Sequence, residues 1–176
     1  TVPRFSTELP EFAEAEKAVQ ARIDHLMGIK GKKSVDSIHK ELGHIMWEYV
    51  GMGRTEEGLK TALKLLKDIR KEFETNLFIP GSTEGVNIEL EKALRLNDFI
   101  TMGELIAYDA LNRNESCGGH FREEYQTEEG EAKRDDENYF YVSCWEYQGS
   151  DDVAPVLYKE PLVYEAIKVQ TRNYKS

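Results

Sequence analysis

The chain has 176 residues, of which 40% are hydrophobic and 32% are charged, and its formal net charge at pH 7 is -10. An acidic surface repels the phosphate backbone of nucleic acids, which excludes general nucleic-acid binding as a function. The sequence has no run of about 18 apolar residues that could span a membrane. Its two cysteines are too few for a disulfide framework and favour a reducing compartment.

Two amphipathic helices are predicted in the first third of the chain. Apolar residues recur every three or four positions over residues 8–27, which predicts a first helix. Its predicted inward residues are Phe12, Ala15, Val19, Ile23, Leu26 and Met27. A second helix is predicted to begin near Ser34, a plausible N-cap, and to end at the glycines of residues 51–53. Its predicted inward residues are Ile38, Leu42, Ile45, Met46 and Tyr49.

Two longer helices follow. Thr55 is a good N-cap for the third helix, and the fourth is predicted over residues 87–112. Helices of this length joined by short loops pack antiparallel in an up-down bundle. We expect three long helices to form the main core, and the first helix is either the third of them or a flanking one. The predicted inward residues are Leu59, Ala62, Leu63, Leu66, Ile69, Phe73 and Leu77 in the third helix, and Leu90, Leu94, Phe99, Ile100, Leu105, Ile106 and Leu111 in the fourth.

The last quarter of the chain reads as strands. The alternating residues after Tyr139 predict a strand with Phe140, Val142 and Cys144 on one face, and we expect Cys144 to lie in the core. Residues 153–169 offer one or two more strands. Because Pro161 cannot donate a backbone hydrogen bond, the strand that contains it is an edge strand or is broken there.

The candidate catalytic and metal-binding patterns are weak. His39 and His44 are five residues apart, whereas two metal ligands on one helix usually lie four apart. Cys117, Cys144 and His120 give only three candidate zinc ligands without a C-x-x-C pair. The closeness of Cys117 to His120 raises the alternative of a cysteine nucleophile with a histidine base.

Two further patterns have simpler interpretations. Residues 51–58 resemble a dinucleotide-binding loop, but they join two helices instead of a strand and a helix, so we interpret them as a turn. A paired-carboxylate site could be formed by Glu123, Glu124, Glu128 and Glu129, but we interpret these residues as part of a solvated loop.

A short glycine-bearing segment at the end of the fourth helix is the main candidate functional site. Two adjacent glycines permit close approach of another surface, and the neighbouring histidine and arginine are hydrogen-bond donors. The segment is either a helix cap followed by a connection or a docking loop. The candidate docking residues are Glu115, Ser116, Gly118, Gly119, His120 and Arg122.

The same segment carries a family resemblance. It reads E-S-C-G-G-H-x-R from Glu115 to Arg122, and residues 134–139 read R-D-D-E-N-Y. With an upstream pattern that includes Gly51 and Arg54, these motifs resemble the C-terminal region of the flavoprotein subunit of succinate dehydrogenase and fumarate reductase, over Ser34 to Val169. That family usually has E-S-R-G-A-H. This chain departs from it at positions 117 and 119, so no role of that arginine is carried over.

The resemblance implies the activity and the partners of a larger protein. The whole subunit would bind FAD, often through a covalent histidyl bond, and would interconvert succinate and fumarate by hydride transfer, with an arginine moving the proton. Its implied partners are the upstream FAD-binding domain, an iron–sulfur subunit with its clusters and, indirectly, a membrane anchor that holds quinone. The implied location is peripheral, on the cytoplasmic side of the membrane.

The resemblance also implies a fold class that agrees with the helical periodicity. This fold is mainly α: an antiparallel, spectrin-repeat-like three-helix bundle with an extra N-terminal helix and a short β-containing C-terminal tail. The expected parts are an N-terminal helix and connector over residues 1–33, the bundle core over 34–125 and the loop and strands over 126–176.

No catalytic, cofactor-binding or metal-binding residue is assigned to this chain. It has no G-x-G-x-x-G after a strand, and no threonine–glutamate–arginine substrate cluster can be matched. We therefore expect a structural or docking fragment that is inactive alone. The alternatives are the C-terminal domain of a related flavoprotein such as L-aspartate oxidase, against which the R-D-D-E-N-Y and K-E-P-L stretches argue, or a non-catalytic helical interaction module.

Overall fold

The described part of the chain is mainly helical, with two small sheets. The computed structural model describes residues 6–150 and 153–170. Among the described residues, no helix is both long enough and apolar enough to cross a membrane. The predicted fold class, a helical bundle with a short β-containing tail, is confirmed. The elements in chain order are α1 (Pro10–Gly28), β1 (Lys33–Ser34), α2 (Val35–Val50), α3 (Glu56–Asn76), β2 (Leu77–Phe78), α4 (Ile88–Asn112), α5 (Asp136–Tyr139), β3 (Tyr141–Glu146) and β4 (Val156–Pro161).

The described residues divide into two compact units. One contains the residues up to Glu48 together with Ala62–Leu105, and the other contains Tyr49–Thr61 and the residues from Ile106 onwards. The core of the first unit is formed by one apolar face each of α2, α3 and α4, as the periodicity predicts. Its buried side chains include Ile38, Leu42, Ile45, Leu66, Ile69, Phe73, Ala93, Leu96 and Ile100.

The N-caps predicted for α2 and α3 are present. The hydroxyl of Ser34 accepts a hydrogen bond from the N–H of Ser37 at 3.2 Å, and the hydroxyl of Thr55 accepts one from the N–H of Gly58 at 3.0 Å. Each bond satisfies one of the N–H groups that the first turn of a helix leaves without an intrahelical partner.

A short parallel pairing of β1 with β2 was not predicted. Lys33 pairs with Leu77, and the N–H of Gly31 donates to the carbonyl of Leu77 at 3.0 Å. A Cβ atom on Gly31 would lie 1.9 Å from the backbone carbonyl carbon of Asn76. Only glycine allows the two segments to approach this closely.

The predicted inward face of α1 is covered only near its C-terminal end, at Ile23, Leu26 and Met27. Phe12 and Val19 are 50% and 60% exposed, and Leu26 is the buried residue of this helix. Near its C-terminal end α1 contacts α4, where Arg22 donates to the carbonyl of Leu94 at 3.4 Å. The apolar period therefore identified the helix, but the described residues leave most of its apolar stripe uncovered.

The inward face of α4 is shifted from the predicted one. Phe99 and Ile106 were predicted to face inward but are 46% and 42% exposed. Small residues share the inward positions with Leu96 and Ile100, and a Cβ atom on Gly103 would lie 3.2 Å from the sulfur of Met46. Phe99 and Ile106 lie at the margin of the contact. The small buried residues of α4 are Ala93, Gly103, Ala107 and Ala110.

The β3 strand has the predicted alternation with the opposite face inward. Cys144, predicted to lie in the core, is exposed, and Tyr141, Ser143 and Trp145 are the partly buried positions. The indole N–H of Trp145 donates to a carboxylate oxygen of Asp109 at 2.8 Å, so the larger side chain takes the inward side. The antiparallel partner strand β4 ends at Pro161, as expected for a proline that interrupts a strand.

Candidate functional site

Ser116 closes the loop that follows α4. Its buried hydroxyl accepts a hydrogen bond from the N–H of Arg122 at 2.8 Å and donates one to the carbonyl of the same residue at 3.1 Å. The N–H of Ser116 donates to the carbonyl of Lys133 at 2.9 Å. One serine therefore fixes both ends of the segment from residue 116 to residue 122.

The tip of this loop is a tight turn between Cys117 and His120. Each of these residues donates its N–H to the carbonyl of the other, at 2.8 and 3.0 Å. Gly118 has a φ of 58°, the left-handed conformation that a type II′ turn needs at its first central residue. A Cβ atom on Gly118 or Gly119 would meet nothing within 4 Å, so the tip borders open space.

His120 has a defined tautomer. Its Nε2 atom lies 2.9 Å from the carbonyl oxygen of Arg113, which can only accept, so Nε2 carries the proton. Nδ1 therefore accepts a hydrogen bond from the Nη1 atom of Arg54 at 2.8 Å. Both ring nitrogens of His120 are engaged within the protein, and the ring is neutral.

The surroundings of His120 favour the neutral ring. Burial lowers the pKa of His120 below its usual value of 6.5, and the positive charges of Arg54, Arg122 and Arg113 lower it further. The hydrogen bond to the carbonyl of Arg113 opposes this shift. Protonation would place a fourth positive charge among three arginines and would remove the acceptor that Arg54 uses.

Arg122 is fully buried and completes the C-terminal end of α4. Its Nη1 atom donates to the carbonyls of Ala110 and Leu111 at 3.0 and 3.4 Å. Its Nε atom donates to Glu124 at 3.1 Å, and its guanidinium lies 5.4 Å from the centre of the Tyr125 ring. The Nη2 atom has no hydrogen-bond partner within the described part of the chain. Carbonyls at a helix end need donors, and this arginine supplies them.

Arg54 joins the loop to the connection between α2 and α3. Its N–H donates to the carbonyl of Phe121 at 3.0 Å, and its carbonyl accepts from the N–H of Glu123 at 2.8 Å. Its Nε atom donates to the carbonyls of Val50 and Gly51 at 3.0 and 3.2 Å. The same residue therefore caps the end of α2 and holds the loop by its backbone.

Glu124 binds the beginning of α3. Its carboxylate accepts a hydrogen bond from the N–H of Glu56, the first residue of that helix, at 2.5 Å. A carboxylate at a helix N-terminus is also favoured by the helix dipole. Through Arg54, Glu124 and Arg122, the loop is therefore bound to the end of α2, the beginning of α3 and the end of α4.

Arg113 fastens the strand-bearing tail. Its Nη1 atom donates to Glu115 at 2.9 Å and to the carbonyl of Tyr139 at 3.0 Å, and Nη2 donates to the carbonyl of Tyr141 at 3.1 Å. The buried carboxylate of Glu115 also accepts from the N–H of Asp135 at 2.9 Å. The Arg113–Glu115 ion pair thus links the loop to the start of β3.

The six candidate docking residues therefore divide into two groups. Glu115, Ser116 and Arg122 are buried, and His120 is half-buried with both nitrogens engaged. Gly118 and Gly119 are exposed at the tip.

Sequence reasoning missed two arginines at this site. Arg54 was part of the family pattern but had no assigned role, and Arg113 was not singled out. For Arg113, a basic residue directly after α4 was the available signal, since cations are favoured at helix C-termini.

The other candidate sites gain no support from the geometry. Cys117 is exposed, but His120 has no free ring nitrogen that could take its proton, so the two do not form a nucleophile–base pair. Within the described residues, no group of three or more histidine, cysteine, aspartate or glutamate side chains could hold a metal ion. His39 stacks on Phe99, with ring centroids 5.4 Å apart.

A surface cleft of about 420 Å³ lies beside the loop. Tyrosine rings, amide side chains and a lysine line it, and they include Asn114, Tyr125, Tyr139, Tyr141 and Lys159. Neither a buried charge without a partner nor a metal-ligand set is found among the described residues that line it, so the cleft alone indicates no ligand.

Comparison with known proteins identifies the family. Residues 39–174 match the family described as "Fumarate reductase flavoprotein C-term". The chain belongs to this family. The match covers most of the chain, includes the whole loop described above and confirms the resemblance that the motifs indicated.

Two relatives show how the fumarate reductase flavoprotein family relates to this chain. The fumarate reductase flavoprotein subunit of Serratia sp. is 31% identical over 121 residues, which are 69% of this chain and 19% of that protein. L-aspartate oxidase 2-b of Nicotiana tabacum is 37% identical over 88 residues, which are 50% of this chain and 13% of that protein. The chain thus spans less than a fifth of the length of either relative.

A solved structure shows the same fold. A quinol–fumarate reductase with menaquinol molecules matches with a TM-score of 0.76 at 22% identity, over 96% of this chain and 28% of that one. At this level of identity the likeness establishes the fold of the domain and no more.

Proposed function

We propose that this chain is the C-terminal helical domain of an FAD-dependent flavoprotein subunit that interconverts succinate and fumarate and passes electrons to an iron–sulfur subunit and quinone. The observation that carries the proposal is the family match over residues 39–174. The fumarate reductase flavoprotein subunit among the relatives supports the choice of substrate. By this proposal the complex is peripheral to the membrane on its cytoplasmic side.

The domain itself contributes scaffolding and no catalytic group. Dinucleotide binding needs a strand, a glycine-rich turn and a helix in a βαβ unit. In the described residues the parallel pairing consists of two strands of two residues each, which does not fit FAD. The preceding part of the subunit would therefore hold the flavin, and the iron–sulfur clusters would lie in the partner subunit. We also propose three parts along the chain: an N-terminal helix and connector over residues 1–33, a helical part over 34–125 and a loop with strands over 126–176.

The loop from Glu115 to Arg122 is the proposed docking element. Its buried residues and His120 hold its shape, and the exposed glycine tip, bare of side chains, is the part that can approach another surface closely. Arg54 and Arg122 bind the loop to helix ends, and a loop whose shape is already held loses less conformational entropy on docking.

Activity measurements on the intact polypeptide test the proposed reaction. We expect the purified full-length subunit to contain flavin, to oxidise succinate with an artificial electron acceptor and to reduce fumarate with a reduced dye. The chain described here should bind no flavin and show neither activity. Oxidation of L-aspartate in place of succinate would instead favour the second candidate, for which the Nicotiana relative is the supporting observation.

Substitution at the tip tests the docking role. We expect Gly119→Trp to leave the thermal unfolding of this chain unchanged, because its side chain would point into open space. In the intact enzyme the same change should weaken flavin retention or assembly with the iron–sulfur subunit. Gly85→Trp is the matched control, since a Cβ atom there also meets nothing within 4 Å. Equal behaviour of the two variants in the intact enzyme would contradict the docking role.

A further inference from the structure

The outer face of the β3–β4 sheet carries apolar side chains that are about half exposed. The antiparallel register pairs Val142 with Glu160, Cys144 with Tyr158, and Glu146 with Val156, so these six side chains share one face. Val142, Tyr158 and Val156 are 49%, 55% and 42% exposed, and Cys144 is exposed as well. We call the four residues Val142, Cys144, Val156 and Tyr158 the outer patch.

The outer patch has the form of an interface. Its four members are neighbours across the two strands, where directly paired side chains lie about 5 Å apart. The acidic residues Glu146 and Glu160 lie at opposite ends of the face. An apolar centre with a charged rim is the usual composition of a permanent contact surface.

The β3–β4 sheet is too small to be stable without packing against other elements. A two-stranded sheet is marginally stable in water unless it packs against other elements. Its inner face does so, because Trp145 meets Tyr108 of α4 edge-on with ring centroids 5.0 Å apart. Its outer face leaves apolar area in water, and a partner that buried this area would stabilise the sheet.

We infer that the outer patch docks against the preceding part of the same polypeptide, on a surface with an apolar centre and basic residues at its rim. This inference rests on the proposed function. The matching family is described as the C-terminal part of the flavoprotein, and the Serratia relative is about five times longer than the matched region, so such proteins have a large preceding part. A sheet that depends on its cover needs a permanent partner, and a segment of the same chain is always present. Basic rim residues would complement Glu146 and Glu160.

The two exposed cysteines of the described residues allow a direct test. Cys144 lies within the outer patch, and Cys117 lies at the tip of the docking loop. Thiol labelling followed by peptide mass spectrometry reports on each in the same sample. We expect Cys144 to react rapidly in the chain described here and at least about tenfold more slowly in the native full-length subunit. A cysteine introduced by Glu128→Cys, in an exposed loop, is the control and should react rapidly in both.

The outcomes separate the possible occupants. Equal reactivity of Cys144 in both proteins overturns the inference. Protection that appears in the chain described here as it dimerises at high concentration overturns it in favour of a second copy. Protection that requires addition of the iron–sulfur subunit overturns it in favour of that partner. If the full-length subunit does not oxidise succinate but Cys144 still reacts slowly in it, the proposed function is contradicted and the docking inference stands.

A substitution gives a second measurement that does not depend on labelling. Val142→Asp places a charge in the outer patch, and we expect it to leave the thermal unfolding of this chain nearly unchanged, since Val142 is half-exposed. In the full-length subunit it should make protease release the C-terminal domain at least several times faster. Val86→Asp, at a valine 99% exposed in the loop before α4, is the matched control and should leave the release rate unchanged. Equal release from both variants overturns the inference.

Discussion

The Nη1 atom of Arg54 donates to Nδ1 of His120 across 2.8 Å, so an arginine that precedes α3 is bound by a histidine 66 residues further along the chain. The bond exists only while Nδ1 is unprotonated, and the opposite nitrogen is committed to the carbonyl of Arg113. A neutral His120 is therefore part of the folded structure, and the loop that it belongs to is held through this ring.

The stability of the protein should fall as the pH drops below about 6.5. The pKa of His120 is lowered in the folded state, first by burial and then by the neighbouring arginines, so the unfolded chain binds this proton more readily. The contribution is complete above the unfolded pKa of about 6.5 and is lost as the pH falls toward the folded pKa, with a slope of at most about 1.4 kcal/mol per pH unit. Urea unfolding at pH 7.5, 6.5 and 5.5 measures it.

A variant without the titrating ring separates this effect from that of the three other histidines. His120→Gln should unfold more easily than the wild type at pH 7.5, and the difference between the two proteins should shrink as the pH falls to 5.5. A difference that stays constant over this range would show that His120 does not carry the pH dependence.

Removal of the buried Arg122 guanidinium should lower the free energy of unfolding. Arg122→Ala leaves the carbonyls of Ala110 and Leu111 without their donor and empties a buried volume. We expect a loss of about 3 kcal/mol in the free energy of unfolding, measured by urea denaturation. Arg122→Lys should lower the free energy of unfolding less, since a lysine keeps the charge and donates from one nitrogen. A loss of less than about 1 kcal/mol for Arg122→Ala would contradict the assignment of the guanidinium as the cap of α4.

Loss of the Arg113–Glu115 ion pair should destabilise only the segment around the start of β3. Arg113→Ala removes the donors to the carbonyls of Tyr139 and Tyr141, and we expect amide hydrogen exchange over residues 135–146 to accelerate by roughly tenfold. Exchange in the buried part of α3 should hardly change. Arg95→Ala is the control, because the exposed ion pair of Arg95 with Glu91 contributes little. Uniform acceleration over the whole chain would contradict a local role.

Gly43 offers a stabilising substitution. It lies inside α2, and a Cβ atom on it would meet nothing within 4 Å. Because glycine is about 1 kcal/mol less favourable than alanine inside a helix, we expect Gly43→Ala to raise the free energy of unfolding by about 0.5–1 kcal/mol.

Gly103→Ala is the comparison for this substitution, since its Cβ atom would press on the sulfur of Met46 at 3.2 Å. It should gain less stability than Gly43→Ala, or lose some. Urea denaturation of the wild type and the two variants measures the free energies of unfolding. A larger gain for Gly103→Ala than for Gly43→Ala would contradict close packing of α4 at Gly103.

Much of the fold could be predicted because helix periodicity and capping depend on residues that are close in sequence. The apolar period of α3 and the N-cap Thr55 depend on residues within one helix, and both were confirmed. The candidate loop was found from its glycines and from family motifs. Its bond to Arg54 could not be predicted, because Arg54 and His120 are 66 residues apart in sequence and meet only in the tertiary structure.

The sequence by itself determined where the helices lie, which residues begin them and which family the chain resembles, since periodicity, capping and motifs are properties of neighbouring residues. Only the tertiary structure decided which face of β3 is covered and that α1 keeps Phe12 and Val19 exposed. It also decided that Arg122 turns inward while Gly118 and Gly119 form an open tip. Alternation and helical period specify that two faces differ, and the burial of one of them depends on which elements the folded chain brings against it.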